Sequence, residues 1–196
     1  MDLKPNAEAT RERILNAAMA EFAAFGVAGA RVDRIAKAAG CNKNLIYIYF
    51  ENKETLFTTV LRKHLARVYD EVPFTPDDLP GYAARIFDFV MAHPDLMRLM
   101  AWFGLEQGAI ASPEERGEAL DVKVAALAEA QAKGAVGGTF PPSFLLVAIM
   151  ALATAWTAAN PFGPSLDPEA RGDPAALRRH IAAAVRLLVQ SGAGEG

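Results

Sequence analysis

Cysteine, histidine and catalytic constellations are what this chain has least of. A single cysteine, Cys41, excludes an intramolecular disulfide, and three scattered histidines (His64, His93, His180) with no cysteine at ligand spacing give no zinc signature. No cofactor or metal is indicated. The chain has no Ser/His/Asp set, no paired carboxylates at helical spacing and no phosphate-binding loop, so a helical enzyme is the weakest of the possible function classes. No apolar stretch occupies Met1 to Arg13, and the most apolar window, Phe144 to Trp156, is shorter than the roughly 18 residues a membrane span needs. A soluble, cytoplasmic protein with no membrane partner is the expectation.

What is present is an ordinary core-forming composition with an uneven charge. Over 196 residues, 52% are hydrophobic and 22% charged, enough to bury a sizeable core. Met1 to Tyr69 carries 11 Lys and Arg against 7 Asp and Glu, whereas Asp70 to Gly196 carries 9 against 16. A basic head on an acidic body suits a head that meets a polyanion.

The periodicities are helical throughout, with no strand pattern and no internal repeat. Asn6 is placed to cap a first helix over 7–25, with Ile14, Ala18, Phe22 and Phe25 on one face and Gly26 as its stop. Val32, Ile35 and Ala39 give the next helix its buried side, and Gly40 breaks it. Asn42 caps a third helix to Phe50, and Asn52 caps a fourth over 53–70 that bridges head and body. Tyr82, Ile86 and Phe89 predict a helix after Asp77-Asp78-Leu79-Pro80; Pro94 starts another with Leu96, Leu99, Met100 and Phe103 on its face and Gly108 at its end. Ser112-Pro113-Glu114-Glu115 reads as a capping box for a helix running to about Lys133 and Gly134. Pro141 or Pro142 starts an almost wholly apolar helix ending at Asn160-Pro161, and an all-apolar helix is buried somewhere. After a Pro/Gly-rich connection, Asp173-Pro174 caps a last helix striped by Leu177, Ile181, Val185 and Leu188. The expectation is an all-α chain of about nine helices.

The run Arg31 to Leu56, RVDRIAKAAGCNKNLIYIYFENKETL, is two short helices joined by a Gly-containing turn and followed at once by a third, which spells a helix-turn-helix. Lys43, Asn44 and Leu45 occupy the first turn of its second helix, where such motifs aim side chains into the major groove. Lys can donate to guanine O6 and N7, and Asn can pair with adenine.

From Ala7 to about Val68 the chain resembles the tetracycline-repressor (TetR) family of bacterial transcription regulators, through Arg13-Ile14-Leu15, Phe22, Phe25-Gly26, Ile35-Ala36, Ala39-Gly40, Tyr47, Tyr49-Phe50, Lys53 and Leu56. The resemblance implies a DNA-binding head at 7–52 and a divergent body at 71–196 that dimerises through its last two helices and binds a small effector. Its implied partners are a double-stranded DNA operator, a second copy of the chain and a small molecule. Arg31 stands where the family often has Thr or Ser, and Asn44-Leu45 where it often has Gly-Thr, so the operator is expected to differ from those of familiar members.

The candidate DNA contacts are therefore Arg31, Lys43, Asn44, Leu45, Tyr47, Tyr49 and Lys53, with Tyr47 and Lys53 suited to phosphates and Arg31 to a phosphate at the start of the second helix. For each, the bland alternative is a solvated surface residue or, for the tyrosines, a core aromatic. Arg34 reads as a solvated charge or an ion pair with Asp33, and Cys41 as a small buried hydrophobe. In the body, Phe87, Met97, Met100, Trp102, Phe103, Met150 and Trp156 can line an apolar cavity, with Gln107, Thr154 or Asn160 as polar anchors. Such stripes are more often packing than pocket. The expected function is a ligand-responsive repressor acting as a homodimer on a palindromic operator; the alternatives are a DNA-binding regulator without an effector and, weakest, a helical enzyme.

Overall fold

The computed structural model describes residues 4–106, 114–157, 160 and 162–190, and the side chains among these except at 4–6, 69, 114–119 and 171. Its elements are α1 (Lys4–Gly29), α2 (Val32–Ala39), α3 (Lys43–Phe50), α4 (Lys53–Glu71), α5 (Leu79–Ala92), α6 (Pro94–Glu106), α7 (Glu114–Ala132), α8 (Pro142–Thr154), α9 (Phe162–Leu166) and α10 (Pro174–Val189). Short 3₁₀ turns at Pro76–Asp78 and Ala170–Gly172 precede α5 and α10. Among the described residues there is no strand, and no helix is long and apolar enough to cross a membrane. The predicted stop at Gly108, the anchor Gln107 and the side chains of the capping box at 112–115 lie outside the described residues.

The chain folds into two compact units: Met1–Arg67 with His93–Ala111, and Val68–Ala92 with Ser112–Gly196. In the first, Ile14, Leu15, Ala18 and Phe22 of α1 meet Ile35 of α2, Ile46 and Phe50 of α3 and Leu56, Phe57 and Val60 of α4 in a fully buried core. The Phe57 ring is central to it. Phe22 meets it edge-on at 5.2 Å, and Phe103 of α6 stacks on it at 6.3 Å. Thus α6, whose Leu96, Leu99 and Phe103 are buried, is built into the N-terminal unit although the stretch just before it, Val68–Ala92, belongs to the second unit.

Two details of α1 differ from expectation. The helix begins at Lys4 with Pro5 in its first turn, where the missing N–H costs nothing, so Asn6 lies inside the helix instead of capping it. At its other end Gly26 does leave the helical conformation, at φ 66 and ψ −177, but helix resumes to Gly29. The kink turns Phe25 outward, 47% exposed, and brings Val27 into the core in its place.

The second unit is centred on α5, whose Tyr82, Ala83, Ile86 and Phe87 are buried against Leu145 and Ile149 of α8 and Leu177, Ile181 and Val185 of α10. The Arg178 Nε to Asp88 Oδ2 bond, 2.7 Å, pins α10 to α5 at the surface. Asp173 caps α10 by accepting from the Ala176 N–H at 2.9 Å, with Pro174 in the first turn. The last-helix stripe is therefore this chain's own core.

The apolar helix α8 ends at Thr154, not at Asn160. The Ala155 N–H bonds the Leu152 carbonyl, three residues back, and the Thr157 Oγ1 donates to the Thr154 carbonyl, so the last turn tightens and closes. The chain then returns as α9 over the 155–156 backbone. Gly163 makes that approach possible, because a Cβ there would collide with the Ala155 carbonyl oxygen. Nor is α8 buried all round within this chain: Phe144 is 54% and Val147 66% exposed.

Candidate nucleic-acid interface

The interface is set by how α2 and α3 are started and stopped. Arg31, extended at φ −118 and ψ 120, opens α2, and Gly40, left-handed at φ 63, closes it with its N–H on the last-turn carbonyls while the Cys41 N–H bonds the Ala36 carbonyl at 3.0 Å. Asn42 then caps α3, its Oδ1 accepting from the Asn44 N–H at 2.9 Å. The Glu51 N–H bonds the Tyr47 carbonyl at 2.8 Å to end α3, and Asn52 caps α4 through the Thr55 N–H at 2.7 Å. These caps and stops are local to the turns they make.

Ile46 and Phe50 face the core from α3, and that rotation sends Lys43, Asn44, Tyr47 and Ile48 to solvent. Beside them an open cleft of ≈ 400 Å³ is lined by Arg31, Lys43, Tyr47 and Lys53 together with Asp33 and Glu54. Four of the seven residues singled out from the sequence thus share one depression. Asn44 lies next to it on the outward face, and Leu45 is half-buried. Tyr49 is placed elsewhere: it is half-buried, its ring lies 6.2 Å from Phe50, and its hydroxyl donates to the Ala7 carbonyl of α1 at 3.4 Å.

The cations in the cleft already have partners. Lys43 Nζ is 2.8 Å from Asp33 Oδ1, and Arg31 lies 3.8 Å from the same carboxylate. Hydrogen bonding and attraction to Lys43 hold the Asp33 carboxyl below its ordinary value, and Asp33 in turn raises the Lys43 ammonium. Lys53 Nζ donates to the Ala28 and Ala30 carbonyls at 3.4 and 3.3 Å, so it closes the end of α1 as well as facing the cleft.

Glu21 is the residue bordering this site that the sequence pattern did not bring out. Only 9% exposed, it accepts from the Arg31 N–H at 2.8 Å and from Arg34 Nε at 2.7 Å, fixing the start of α2 to α1. Arg34 pairs with Glu21, not with Asp33, and its guanidinium also lies over the Phe25 ring at 4.2 Å. The signal was available: Glu21 follows Ile14 by seven residues and Ala18 by three, which puts a carboxylate on the core face of α1. Arg13, from the same helix, donates to the Ala39 carbonyl at the far end of α2 at 3.1 Å.

The candidate effector residues divide between the units. Phe87, fully buried, and the half-buried Met150 and Trp156 belong to the second; Met100, Trp102 and the buried Phe103 belong to the first. Phe103 packs on Phe57, and the Trp102 ring lies against Gly26. The two described polar candidates serve turns: Thr154 Oγ1 donates to the Met150 carbonyl at 2.9 Å, and Asn160 Oδ1 accepts from the Phe162 N–H at 2.9 Å. In the second unit Lys123 reaches the Tyr82 hydroxyl at 3.0 Å, with the Phe74 ring nearby, and burial pushes its ammonium down. Among the described residues no cluster of three or more His, Cys, Asp or Glu is placed to hold a metal ion.

The profile of bacterial regulatory proteins, tetR family, matches residues 14–60, and that of the tetracyclin repressor-like C-terminal domain matches 78–186. The chain is 44% identical over 156 residues to the HTH-type transcriptional repressor SCO4008 of Streptomyces coelicolor, covering 79% of this chain and 81% of that protein. It is 32% identical over 141 residues to the HTH-type transcriptional repressor NicS of Pseudomonas putida, covering 65% and 66%. The crystal structure of the transcriptional regulator SCO4942 from Streptomyces coelicolor superposes with a TM-score of 0.80 at 35% identity, over 92% of this chain and 98% of that one.

Proposed function

The chain belongs to the tetR family of bacterial regulatory proteins, and on that premise we propose that it is a repressor that binds a palindromic operator as a homodimer and is released by a small apolar or amphipathic molecule. The observation that carries the DNA-binding half is the outward face of α3, where Lys43, Asn44 and Tyr47 stand clear of the core beside a cleft holding Arg31 and Lys53. Base edges are read from α3 by Lys43 and Asn44, and phosphates are met by Arg31, Tyr47 and Lys53. In this division residues 7–52 carry the DNA contacts, α4 bridges, and 71–196 carry the effector and dimer contacts.

Dimerisation through α8 and α10 is supported by Phe144, Val147 and Leu187, which are 54%, 66% and 72% exposed on those two helices. A two-fold arrangement of such faces places two α3 helices for two half-sites. The effector works by preferring the DNA-free state, and linkage requires that it weaken operator binding by the same factor by which operator weakens its own. The test is a selection of duplexes from a random pool, followed by titration of apolar and amphipathic compounds with and without the selected duplex. A palindrome and a compound whose affinity drops in the presence of DNA are the expected results. A pool that yields no enriched sequence overturns the operator, and compounds that bind equally in both conditions are not effectors.

A further inference from the structure

We propose that Ile48 is a specificity-determining residue that reads a thymine through its C5-methyl group. The inference rests on α3 being the recognition helix. Ile48 is 74% exposed, whereas Ile46, two residues earlier in the same helix, is 1% exposed. At 100° per residue Ile48 lies on the side of α3 opposite Ile46, one turn after Asn44, so the two side chains stand together on the outermost line of the helix.

Nothing in the fold accounts for an isoleucine there. Its side chain adds little to the core, and a β-branched residue is a poorer helix former than the polar residues that suit such a position. A lone exposed apolar side chain is ordinary on most surfaces. This one stands one turn after Asn44, between the half-buried Leu45 and the exposed Tyr47, next to a cleft lined by Arg31, Lys43 and Lys53 together with Asp33 and Glu54. When that face enters a major groove, the one apolar group the base edges offer is the thymine methyl.

Asn44 strengthens the assignment. An asparagine is matched to adenine N6 and N7, and four residues of helix advance about 6 Å, within about two base steps of 3.4 Å. Asn44 and Ile48 together then select an adenine and a thymine near each other in each half-site. Contact with the methyl buries apolar surface on both partners, whereas cytosine at that position presents no methyl to cover.

The experiment replaces the thymines of a duplex selected by the full-length protein, one symmetric pair at a time, with deoxyuridine. This removes the methyl and leaves every hydrogen-bonding group intact. One position is expected at which wild type loses about fourfold in affinity per half-site, the cost of exposing one methyl group again. The same replacement is expected to leave Ile48→Ala unaffected, and Ile48→Val to lose an intermediate amount, which is the coupling signature of a direct contact. Circular dichroism and thermal melting of Ile48→Ala should match wild type, since the side chain lies outside the core. Equal sensitivity of wild type and Ile48→Ala to deoxyuridine at every thymine, or no sensitivity in either, overturns the assignment and leaves DNA binding by α3 standing. Failure to enrich any sequence overturns the recognition-helix reading itself, and the methyl contact with it.

Discussion

Lys43 and Asp33 are joined across the helix-turn-helix, Nζ to Oδ1 at 2.8 Å, so the first cation of α3 is held by a carboxylate of α2 before any DNA arrives. Phosphate or a guanine edge has to replace that carboxylate. Asp33→Asn should therefore tighten binding to random duplex DNA, about two- to fivefold, and steepen the dependence of log affinity on log salt by about one. Fluorescence anisotropy across a salt series measures both. An unchanged slope would show that Lys43 reaches DNA without giving up Asp33.

Lys43→Ala separates base reading from charge. It is expected to lower affinity for a selected palindrome by about tenfold or more while affecting random DNA far less, because a groove contact is lost along with a phosphate-like attraction. Competition between the two duplexes gives the ratio directly. A preference that survives the substitution removes Lys43 from base readout.

Lys53 carries a structural duty that a pure phosphate contact would not. Its ammonium closes on the Ala28 and Ala30 carbonyls at the end of α1, where helix carbonyls lack intrahelical partners. Lys53→Ala is expected to cost about 1 kcal/mol of unfolding free energy in urea, in addition to weakening all DNA alike. Stability unchanged within about 0.5 kcal/mol would confine Lys53 to the DNA surface.

These residues mark the boundary of what the sequence makes legible. Asn42, Asn52, Gly40 and Asp173-Pro174 act on the few residues next to them, and each sits in the structure where its side chain or backbone freedom predicts. The end of α8 was not legible, because Ala155 and Trp156 continue the apolar run and the stop comes from the threonine hydroxyls and from α9 folding back over Gly163. Periodicity also showed that Leu96, Leu99 and Phe103 share a buried face of α6 without showing that the face packs in the N-terminal unit. A helical stripe names the side that is buried; only tertiary structure names the partner. Leu177 and Ile181 make the same point, since they lie on a helix that the resemblance implies for the dimer and are buried in this chain's own core.

His64 is expected to give the first unit a pH dependence. It is half-buried in α4, and burial first, then Lys63, Arg67 and His93, push its imidazole below the usual 6.5, against a small opposing pull from Glu12. The unfolded chain therefore takes up this proton at a higher pH than the folded one, and in that window stability rises with pH. The contribution is complete above 6.5 and is lost as pH falls below it. Urea unfolding between about pH 7.5 and 5 should show falling stability, with a shallower fall in His64→Gln. Identical slopes in the two proteins would assign the loss to other groups.

The kink at Gly26 ties α1 to the end of α6. Past the kink, the Val27 and Ala28 N–H groups are accepted by the two carboxylate oxygens of Glu106, at 3.0 and 3.5 Å, so a side chain on α6 caps the last turn of α1. At φ 66 and ψ −177 only glycine is unstrained, and a Cβ would stand 2.7 Å from Glu106 Oε1 and 2.8 Å from the Trp102 ring. Gly26→Ala therefore meets both backbone strain and collision with the two residues that receive the kink, and should cost about 1–3 kcal/mol. Glu106→Gln retains one acceptor and should cost less than Glu106→Ala, which leaves both N–H groups to solvent or unmet. Trp102 reports the same junction by its emission, because the indole loses its fixed neighbour when the kink straightens. Urea unfolding followed by tryptophan emission is expected to rank wild type above Glu106→Gln, then Glu106→Ala, then Gly26→Ala. A Gly26→Ala protein as stable as wild type would mean that α1 reaches α2 without this turn and that Glu106 is a surface carboxylate with no hold on the DNA-binding helices.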